Sequence, residues 1–385
     1  MNDSHAYKVI GRPEPRSDGA EKVTGKAVYT VDLDLPGMAH AKVLRSPYPH
    51  ARIGWVDFSK AERLPGVYAV ITKEDQRELG MFGAAYKDQT IVAVDKVRYV
   101  GDPVAAVAAV DEATAEEALS LIDVEYQELP AVSSLEEALA PGAVLVHDSA
   151  SMGGELMGQR YEKPEEFADS NLCYRFSYAK GEIAEGFKKS DHVFENTFTF
   201  PRVQHFSMEP HATVAHVEGD QITMWAGTQE PFTLREHLAD IFKVPLNKIR
   251  IIVPYVGGGY GGKLAVKTEP LAAALSSKAK RPVRLVHTIE ESFKTVTRHP
   301  ARVRIKTGVS KDGFLLAREC LIHMETGAYA DAGPRVTQKA GYRSFGPYRI
   351  PHTKTDAYTV YTNTVPAGAY RGFGTLQVTW AYESQ

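Results

Sequence analysis

The segment with the clearest potential for ligand binding is VGGGYGGK, which ends at Lys263. Five of the six residues at positions 257–262 are glycine. Glycine lets a backbone approach a ligand closely and present its N–H groups to it. An apolar run precedes the loop, and an alanine-rich segment predicted to be a helix, Glu269 to Lys278, follows it. A loop between a strand and a helix is therefore expected to hold a ligand through its backbone.

Three interpretations of this loop remain open from its spacing alone. Gly257, Gly259 and Gly262 satisfy the dinucleotide pattern G-x-G-x-x-G, but the alternating strand–helix context of that fold is missing. Gly262 and Lys263 complete most of a phosphate-binding loop, yet Leu264 stands where the magnesium-binding hydroxyl is needed. The third interpretation is a tight turn required only for packing.

Two further segments carry polar residues around this loop. GTQEPF, with Gln229, lies about thirty residues upstream, and PAGAYRGFG, with Arg371, lies well downstream. Together with the N-terminal sequence from Gly11 to Ile53, these segments resemble the xanthine oxidase and aldehyde oxidase family of molybdenum hydroxylases, in the same order. The family usually has phenylalanine at the position of Tyr260. The resemblance covers nearly the whole chain.

The resemblance implies an α+β fold with two parts. Residues 1–130 are expected to form an a/b hammerhead domain, and residues 131–165 a linker over the surface. Residues 166–385 are expected to form the first half of a molybdopterin-binding domain. The cofactor is expected to be molybdenum–molybdopterin, in the cytosine dinucleotide form, with the metal held by the pterin dithiolene and by no protein side chain.

The resemblance also assigns the two loops and Gln229 to the cofactor. The Gln229 side chain would donate a hydrogen bond to the oxo ligand of molybdenum, where a donor stabilises negative charge. Backbone groups of two short segments would face the cofactor: Gly259, Tyr260 and Gly261 in the first, and Ala369, Tyr370 and Arg371 in the second. Taken singly, Gln229 could equally be a strand-end group bonded to backbone, and Arg371 part of a surface ion pair.

Three residues bear on the substrate. Phe373 matches an aromatic residue that stacks on the substrate ring in the family. Leu264 stands where purine-oxidising members carry glutamate, and Lys339 where they carry arginine, and the second loop lacks the cysteine of carbon monoxide-oxidising members. Xanthine and carbon monoxide are therefore not the expected substrates. Lys339 could instead attract the carboxylate of a nicotinate-like ring.

The base that the family reaction needs is missing from this sequence. In the family it is a glutamate near the C-terminus of a chain about twice as long, and no such motif follows Gln377. We expect a second molybdopterin-binding subunit to carry it, as in split nicotinate-type hydroxylases; a truncated chain is the alternative. The C-terminal segment TWAYESQ is predicted to be helical, and a partner is expected to cover the apolar side chains of this helix, which are Leu376, Val378, Trp380 and Tyr382.

Composition narrows the remaining possibilities. A formal net charge of −3 over 385 residues gives no reason to expect nucleic acid or an acidic membrane surface. Cys173 and Cys320 cannot hold an iron–sulfur cluster, so Fe–S clusters and FAD are expected on partner subunits. No signal peptide or membrane-spanning run is present, which favours the cytoplasm. The histidines at positions 205, 211 and 216 match no standard zinc spacing.

Three functions remain in competition. The first is an enzyme subunit that hydroxylates an N-heterocycle or an aldehyde. The second is a non-catalytic scaffold that holds the cofactor for another chain, and the third is a nucleotide-binding oxidoreductase. Three predicted elements flank the loops: a hairpin turning at Gly219-Asp220, a helix over Pro231–Phe242 and the helix that follows the glycine loop.

Overall fold

The structure is a computed structural model that describes residues 7–148, 152–156, 158–264 and 266–385. The elements of the N-terminal part are α1 Gly19–Val23, β1 Ala39–Arg45, β2 Ala51–Asp57, α2 Ser59–Glu62, β3 Val67–Ile71, α3 Lys73–Gln76, β4 Tyr86–Lys87, β5 Lys96–Val97, β6 Pro103–Ala109, α4 Glu112–Ser120, β7 Asp123–Glu128 and α5 Leu135–Ala138. In the described part of the chain no helix is long and apolar enough to cross a bilayer.

The C-terminal part contains the longer strands and helices. Its elements are β8 Met152–Leu156, β9 Gln159–Tyr161, β10 Leu172–Lys180, α6 Ile183–Lys188, β11 His192–Phe200, β12 Ala212–Glu218, β13 Gln221–Ala226, α7 Pro231–Phe242, β14 Ile249–Ile252, α8 Glu269–Ala279, β15 Val283–Val286, α9 Ile289–Phe293, β16 Thr297–Arg298, β17 Ala301–Val309, β18 Leu315–Gly327, α10 Gly333–Tyr342, β19 His352–Tyr361, β20 Ala367–Gly368 and α11 Thr375–Ser384. Helices combine with sheets in which antiparallel pairs predominate, which confirms the α+β fold class.

A seven-stranded sheet joins the two parts of the chain. Its order is β14-β13-β12-β15-β1-β6-β3, and the strands β1, β6 and β3 come from the N-terminal part. The join is a parallel pairing of β1 with β15, with Ala39 opposite Val283 and Ala41 opposite Leu285. A second sheet, β10-β19-β18-β17-β11, lies entirely in the C-terminal part. Side chains from both parts also pack into a common core cluster around this sheet.

Helix α8 packs against this shared sheet and fixes the chain just after the glycine loop. The helix is buried on nearly every face: the small side chains of Ala272 and Ala273 and the larger ones of Leu271 and Leu275 are all buried. Alanine lets the helix axis approach the sheet closely, and Pro270 occupies the first turn, where its missing N–H costs no hydrogen bond. On the other side of the loop, β14 pairs in parallel with β13. The loop is therefore anchored at both ends.

The predicted hairpin and helices are confirmed, with one correction at the C-terminus. The β12–β13 hairpin turns at Gly219, and α7 has the predicted bounds. On α11, Leu376 and Trp380 are 41% and 44% exposed, but Val378 is fully buried. The expectation that Val378 is exposed was wrong, because residues two apart on a helix face different sides, and this one packs under the five-stranded sheet.

The segment 131–165 is more than a linker over the surface. It contains α5, β8 and β9, although residues 149–151 and 157 lie outside the described residues. It contributes buried side chains to a core cluster that also contains Tyr361, namely Val132, Leu135, Ala138, Val146, Leu156 and Tyr161. Short elements rich in Gly and Pro hide their periodicity, so composition alone suggested a linker.

Two buried carboxyl groups of the N-terminal part bond to the C-terminal part. Asp88 accepts hydrogen bonds from the Ala330 N–H at 2.8 Å and from the Tyr361 hydroxyl at 2.9 Å. Asp102 accepts from the Tyr329 hydroxyl at 3.1 Å. Burial raises the pKa of Asp88 to about 7 and that of Asp102 to about 6. Burial favours the neutral form of both carboxyl groups, so each group stabilises the fold at low pH. This stabilisation is lost as the pH rises through the raised pKa values.

We predict that Asp88→Asn changes the pH dependence of stability. In the wild-type chain the Asp88 contribution is fully present below about pH 4 and is lost as the pH approaches 7, whereas asparagine does not ionise. The thermal midpoint of the variant minus that of the wild type should therefore become more positive from pH 5 to pH 8. The exposed Asp312→Asn should give a flat difference, and a flat difference for Asp88→Asn would contradict the assignment.

Candidate functional site

The glycine loop adopts a backbone that side chains tolerate poorly. Gly258, Tyr260 and Gly261 have φ values of 104°, 53° and 101°. A Cβ at Gly259 would lie 2.4 Å from the Gln229 Oε1, and a Cβ at Gly261 would lie 2.5 Å from the Ala369 carbonyl oxygen. Close approach of neighbouring groups therefore requires glycine at both positions.

The Gln229 side chain is oriented by the glycine loop. Its backbone N–H donates to the Lys263 carbonyl at 2.9 Å, and its Oε1 accepts from the Gly261 N–H at 2.9 Å. Because a backbone N–H can only donate, the amide oxygen must face the loop and the NH₂ group must point elsewhere. That NH₂ group has no partner among the described residues and is free to donate to a ligand.

The Gly261 N–H is thus already used, whereas the N–H groups of Gly259 and Tyr260 are not. In the described part of the chain, neither of these two groups has a hydrogen-bond acceptor. Gln229 follows β13, and its amide oxygen is bonded to the backbone of the loop, so this contact by itself fits the structural interpretation as well as a ligand-binding role. The Gly261 N–H holds Gln229, and the predicted position of Gly261 beside the cofactor stays a prediction.

The second predicted loop lies directly against the first. The Arg371 N–H donates to the Tyr260 carbonyl at 2.8 Å, and the His205 Nε2 bonds to the Ala369 carbonyl at 2.7 Å. The Tyr370 ring lies 4.8 Å from the His205 ring, centre to centre. The Arg371 side chain is exposed and forms no ion pair with the described residues. The structure therefore brings together all seven residues predicted to contact the cofactor.

Glu209 closes the base of the glycine loop, a role that sequence reasoning missed. Its Oε2 accepts from the Gly257 N–H at 2.8 Å and from the Lys263 Nζ at 2.7 Å, and both side chains of this ion pair are buried. Burial lowers the pKa of Lys263, and the neighbouring carboxylate acts in the opposite direction. No sequence pattern identified the pair, because 54 residues separate its members.

The three histidines do not converge on a metal. His211 lies under the glycine loop, with its Nε2 3.1 Å from the Gly262 carbonyl oxygen, and burial lowers its pKa to about 3. His205 supports the second loop, and His216 faces Glu218 on the hairpin at 3.8 Å. Among the described residues, no group of three or more His, Cys, Asp or Glu side chains is placed to hold a metal ion.

A cavity opens beside the two loops. Its empty volume is about 600 Å³ including the mouth, and the predicted residues Leu264 and Phe373 line it. Lys339 does not line it; its Nζ lies 5.9 Å from the centre of the Phe373 ring. Arg335, one turn earlier on α10, lines the cavity instead. Its other apolar walls come from both parts of the chain, namely Phe82, Ala84, Leu156, Val266 and Ala332.

Polar groups also reach this cavity. The Lys267 Nζ pairs with the Asp331 Oδ2 at 2.5 Å, and both side chains are buried. Asp331 has a φ of 44°, a conformation that non-glycine residues rarely adopt. Glu230 and His237 line the wall formed by α7, and burial raises the pKa of the first and lowers that of the second. The cavity is thus an apolar space with a few fixed polar groups, typical of a small-molecule site.

We predict that Lys263→Met destabilises the chain by about 3–5 kcal/mol, because it leaves the Glu209 carboxylate buried without a counter-ion. Urea unfolding measures the loss. Adding Glu209→Gln should restore part of it, since the double variant has no unpaired charge. Lys294→Met, which breaks an exposed pair with Glu290, should cost less than about 1 kcal/mol. Equal losses of stability at positions 263 and 294 would contradict the proposed role of Glu209 and Lys263 as a clamp that closes the base of the glycine loop.

Two family models match the chain. Residues 165–385 match the molybdopterin cofactor-binding domain. Residues 24–130 match the a/b hammerhead domain of aldehyde oxidase and xanthine dehydrogenase. Together they cover both parts of the structure, including every residue of the two loops.

Curated and solved relatives agree with these models. The chain is 44% identical over 98% of its length to a probable xanthine dehydrogenase subunit of Bacillus subtilis (strain 168), of which it covers 48%. It is 36% identical to the nicotinate dehydrogenase large molybdopterin subunit of Eubacterium barkeri, covering 98% of this chain and 85% of that one. Quinoline 2-oxidoreductase from Pseudomonas putida 86 has a TM-score of 0.82 and 33% identity, over 95% of this chain and 46% of that chain. The chain thus spans about half the length of several relatives it matches.

Proposed function

The chain belongs to the xanthine oxidase and aldehyde oxidase family of molybdenum hydroxylases, and on that premise we propose that it holds one side of the cofactor and the substrate cavity of such an enzyme. The proposed reaction inserts water-derived oxygen into a C–H bond of an N-heterocycle or an aldehyde. The free amide of Gln229, whose oxygen is held by the glycine loop and which directly precedes the cavity-lining Glu230, is the observation that carries this proposal.

The residues present fit a molybdenum–pterin cofactor. Two backbone loops meet with no Cβ at Gly259 or Gly261, and the N–H groups of Gly259 and Tyr260 have no acceptor among the described residues. Such groups suit the oxygen-rich edge of a pterin with its phosphate. When bound, the cofactor supplies a metal centre that accepts two electrons from the substrate carbon.

The chain itself contributes orientation and exclusion of water. The Gln229 NH₂ would donate to the metal group, as the resemblance implies, while the apolar walls keep bulk water from the cavity. Phe373 presents an aromatic ring on which a flat heterocycle can pack. These groups act before and during the chemical step without changing their own protonation state.

The proposal places the remaining machinery on partner chains. A second molybdopterin-binding subunit would bring the glutamate base, and separate subunits would bring the Fe–S clusters and FAD. The name of the Eubacterium barkeri relative, a large molybdopterin subunit, supports a division of this kind. So does a relative named as subunit gamma of a 6-hydroxypseudooxynicotine dehydrogenase complex, which is 31% identical. The cytosine dinucleotide form of the cofactor stays part of the proposal.

We predict that Gln229→Ala in the assembled complex lowers turnover about 10²- to 10³-fold, the usual effect of removing one preorganised donor. Molybdenum and pterin content, measured on the same preparation, should stay unchanged. The exposed Gln221→Ala, on the hairpin, is the matched control and should keep full activity. Unchanged turnover in Gln229→Ala would favour a scaffold without a catalytic role. A purified complex that lacks molybdenum would overturn the proposed function.

A further inference from the structure

Two side chains in the cavity carry charges that no other described residue neutralises. Glu230 and Arg335 both line the cavity, and neither forms an ion pair within the described residues. The other charged groups there are compensated, since Lys267 pairs with Asp331. A charge beside an apolar wall without a partner is costly to maintain. A ligand that supplies the missing partners would remove that cost.

Arg335 reaches the cavity from helix α10 with hydrogen-bonding capacity to spare. Its Nη1 donates to two neutral acceptors, the amide oxygens of Gln159 at 3.2 Å and Gln338 at 2.5 Å. Its Nε is buried and has no acceptor among the described residues. Neutral partners orient the guanidinium without cancelling its charge. The guanidinium therefore presents donors to an acceptor on the ligand.

Glu230 reaches the same cavity from the start of helix α7. It follows Gln229 directly, and its backbone N–H donates to the Thr228 Oγ1 at 3.1 Å, which fixes the first turn of the helix. Its carboxyl group contacts the Thr233 hydroxyl and is partly buried. A carboxylate only accepts hydrogen bonds, so it calls for an N–H on the ligand.

We propose that Glu230 and Arg335 together determine substrate specificity by binding the N–H and the C=O of a cyclic amide in a heteroaromatic ring. The proposal rests on the hydroxylase function proposed above. A lactam offers one donor and one acceptor on the same ring and matches both residues. A ring carboxylate would satisfy Arg335 only, and the ionised Glu230 in the same cavity would repel it.

Leu264 and Lys339 are the two departures from the pattern of purine-oxidising members. Leu264 and Lys339 occupy the positions where those members carry an acid and a guanidinium. Leu264 lines the cavity as an apolar group, and Lys339 lies against Phe373 outside the cavity lining. Glu230 and Arg335 bring the same two chemical groups to the cavity from different elements of the fold. A carboxylate site built on Lys339 is correspondingly disfavoured.

The test compares substrates in the assembled complex. The probes are hypoxanthine as the lactam, pyridine-3-carboxylate as the anion, and benzaldehyde, which has neither a lactam nor a carboxylate. Glu230→Gln and Arg335→Met should each raise the KM for hypoxanthine about tenfold or more, as loss of a charged hydrogen bond does. Their kcat/KM for benzaldehyde should stay within about twofold of wild type. Arg335→Lys should recover part of the loss. Arg343→Met, at an exposed position directly after α10, is the matched control without effect on hypoxanthine.

A pH profile separates binding by Glu230 from a structural effect. The carboxylate form accepts the ligand N–H, and burial raises its pKa, so the wild-type KM for hypoxanthine should rise as the pH falls through that raised value. Glu230→Gln should remove this rise, because glutamine does not titrate. The KM for benzaldehyde should show no such rise in either protein.

Several results would overturn the proposal, and they are distinguishable. If Arg335→Met weakens only pyridine-3-carboxylate and Glu230→Gln has no effect, the cavity binds an anion and not a lactam. Equal losses for hypoxanthine and benzaldehyde in both variants would show a structural role. If the wild-type complex contains molybdenum but turns over none of the three probes, the proposed function fails and the specificity assignment fails with it.

Discussion

The buried carboxylate of Glu209 fixes the geometry on which the whole site depends. One oxygen of this group holds the Gly257 N–H at the start of the glycine loop and the Lys263 ammonium at its end. A loop with so many glycines has high conformational entropy in the unfolded chain, and a single tight turn does not define its shape. A charge-assisted contact at both ends removes that freedom where the backbone must approach a ligand. The orientation of Gln229 follows from it.

Backbone hydrogen bonds connect the glycine loop, which Glu209 and Lys263 hold, to the second loop. The Gly261 N–H holds Gln229, and the Tyr260 carbonyl accepts from Arg371. The second loop is also supported from below by His205, which burial keeps neutral by lowering its pKa. Breaking the Glu209–Lys263 pair should therefore affect both loops, because a backbone hydrogen bond connects them.

The cavity depends on a different constraint, the continuity of the sheet across the two parts of the chain. The pairing of β1 with β15 joins the two parts, and Phe82 and Ala84 of the N-terminal part line the cavity together with residues of α7 and α10. Asp88 bonds to the backbone next to Asp331, so the same contact that docks the two parts also shapes a cavity wall. Substrate recognition by Glu230 and Arg335 therefore relies on a join that lies outside the cofactor loops.

Local spacing and ordered motifs were enough to predict the family, the α+β class, the main helices and the two loops that lie against each other. Phe373 and Leu264 line the cavity, and their contact with a substrate stays a prediction. Which charged residues line the cavity depends on packing between distant segments. Counting back from the second loop without gaps predicted Lys339 as the charged residue at the substrate. Arg335, one turn earlier on α10, lines the cavity instead. Glu209 and Lys263 meet over 54 residues, and no local pattern encodes such a pair. Contacts between distant segments are set by packing, and spacing along the chain does not report them.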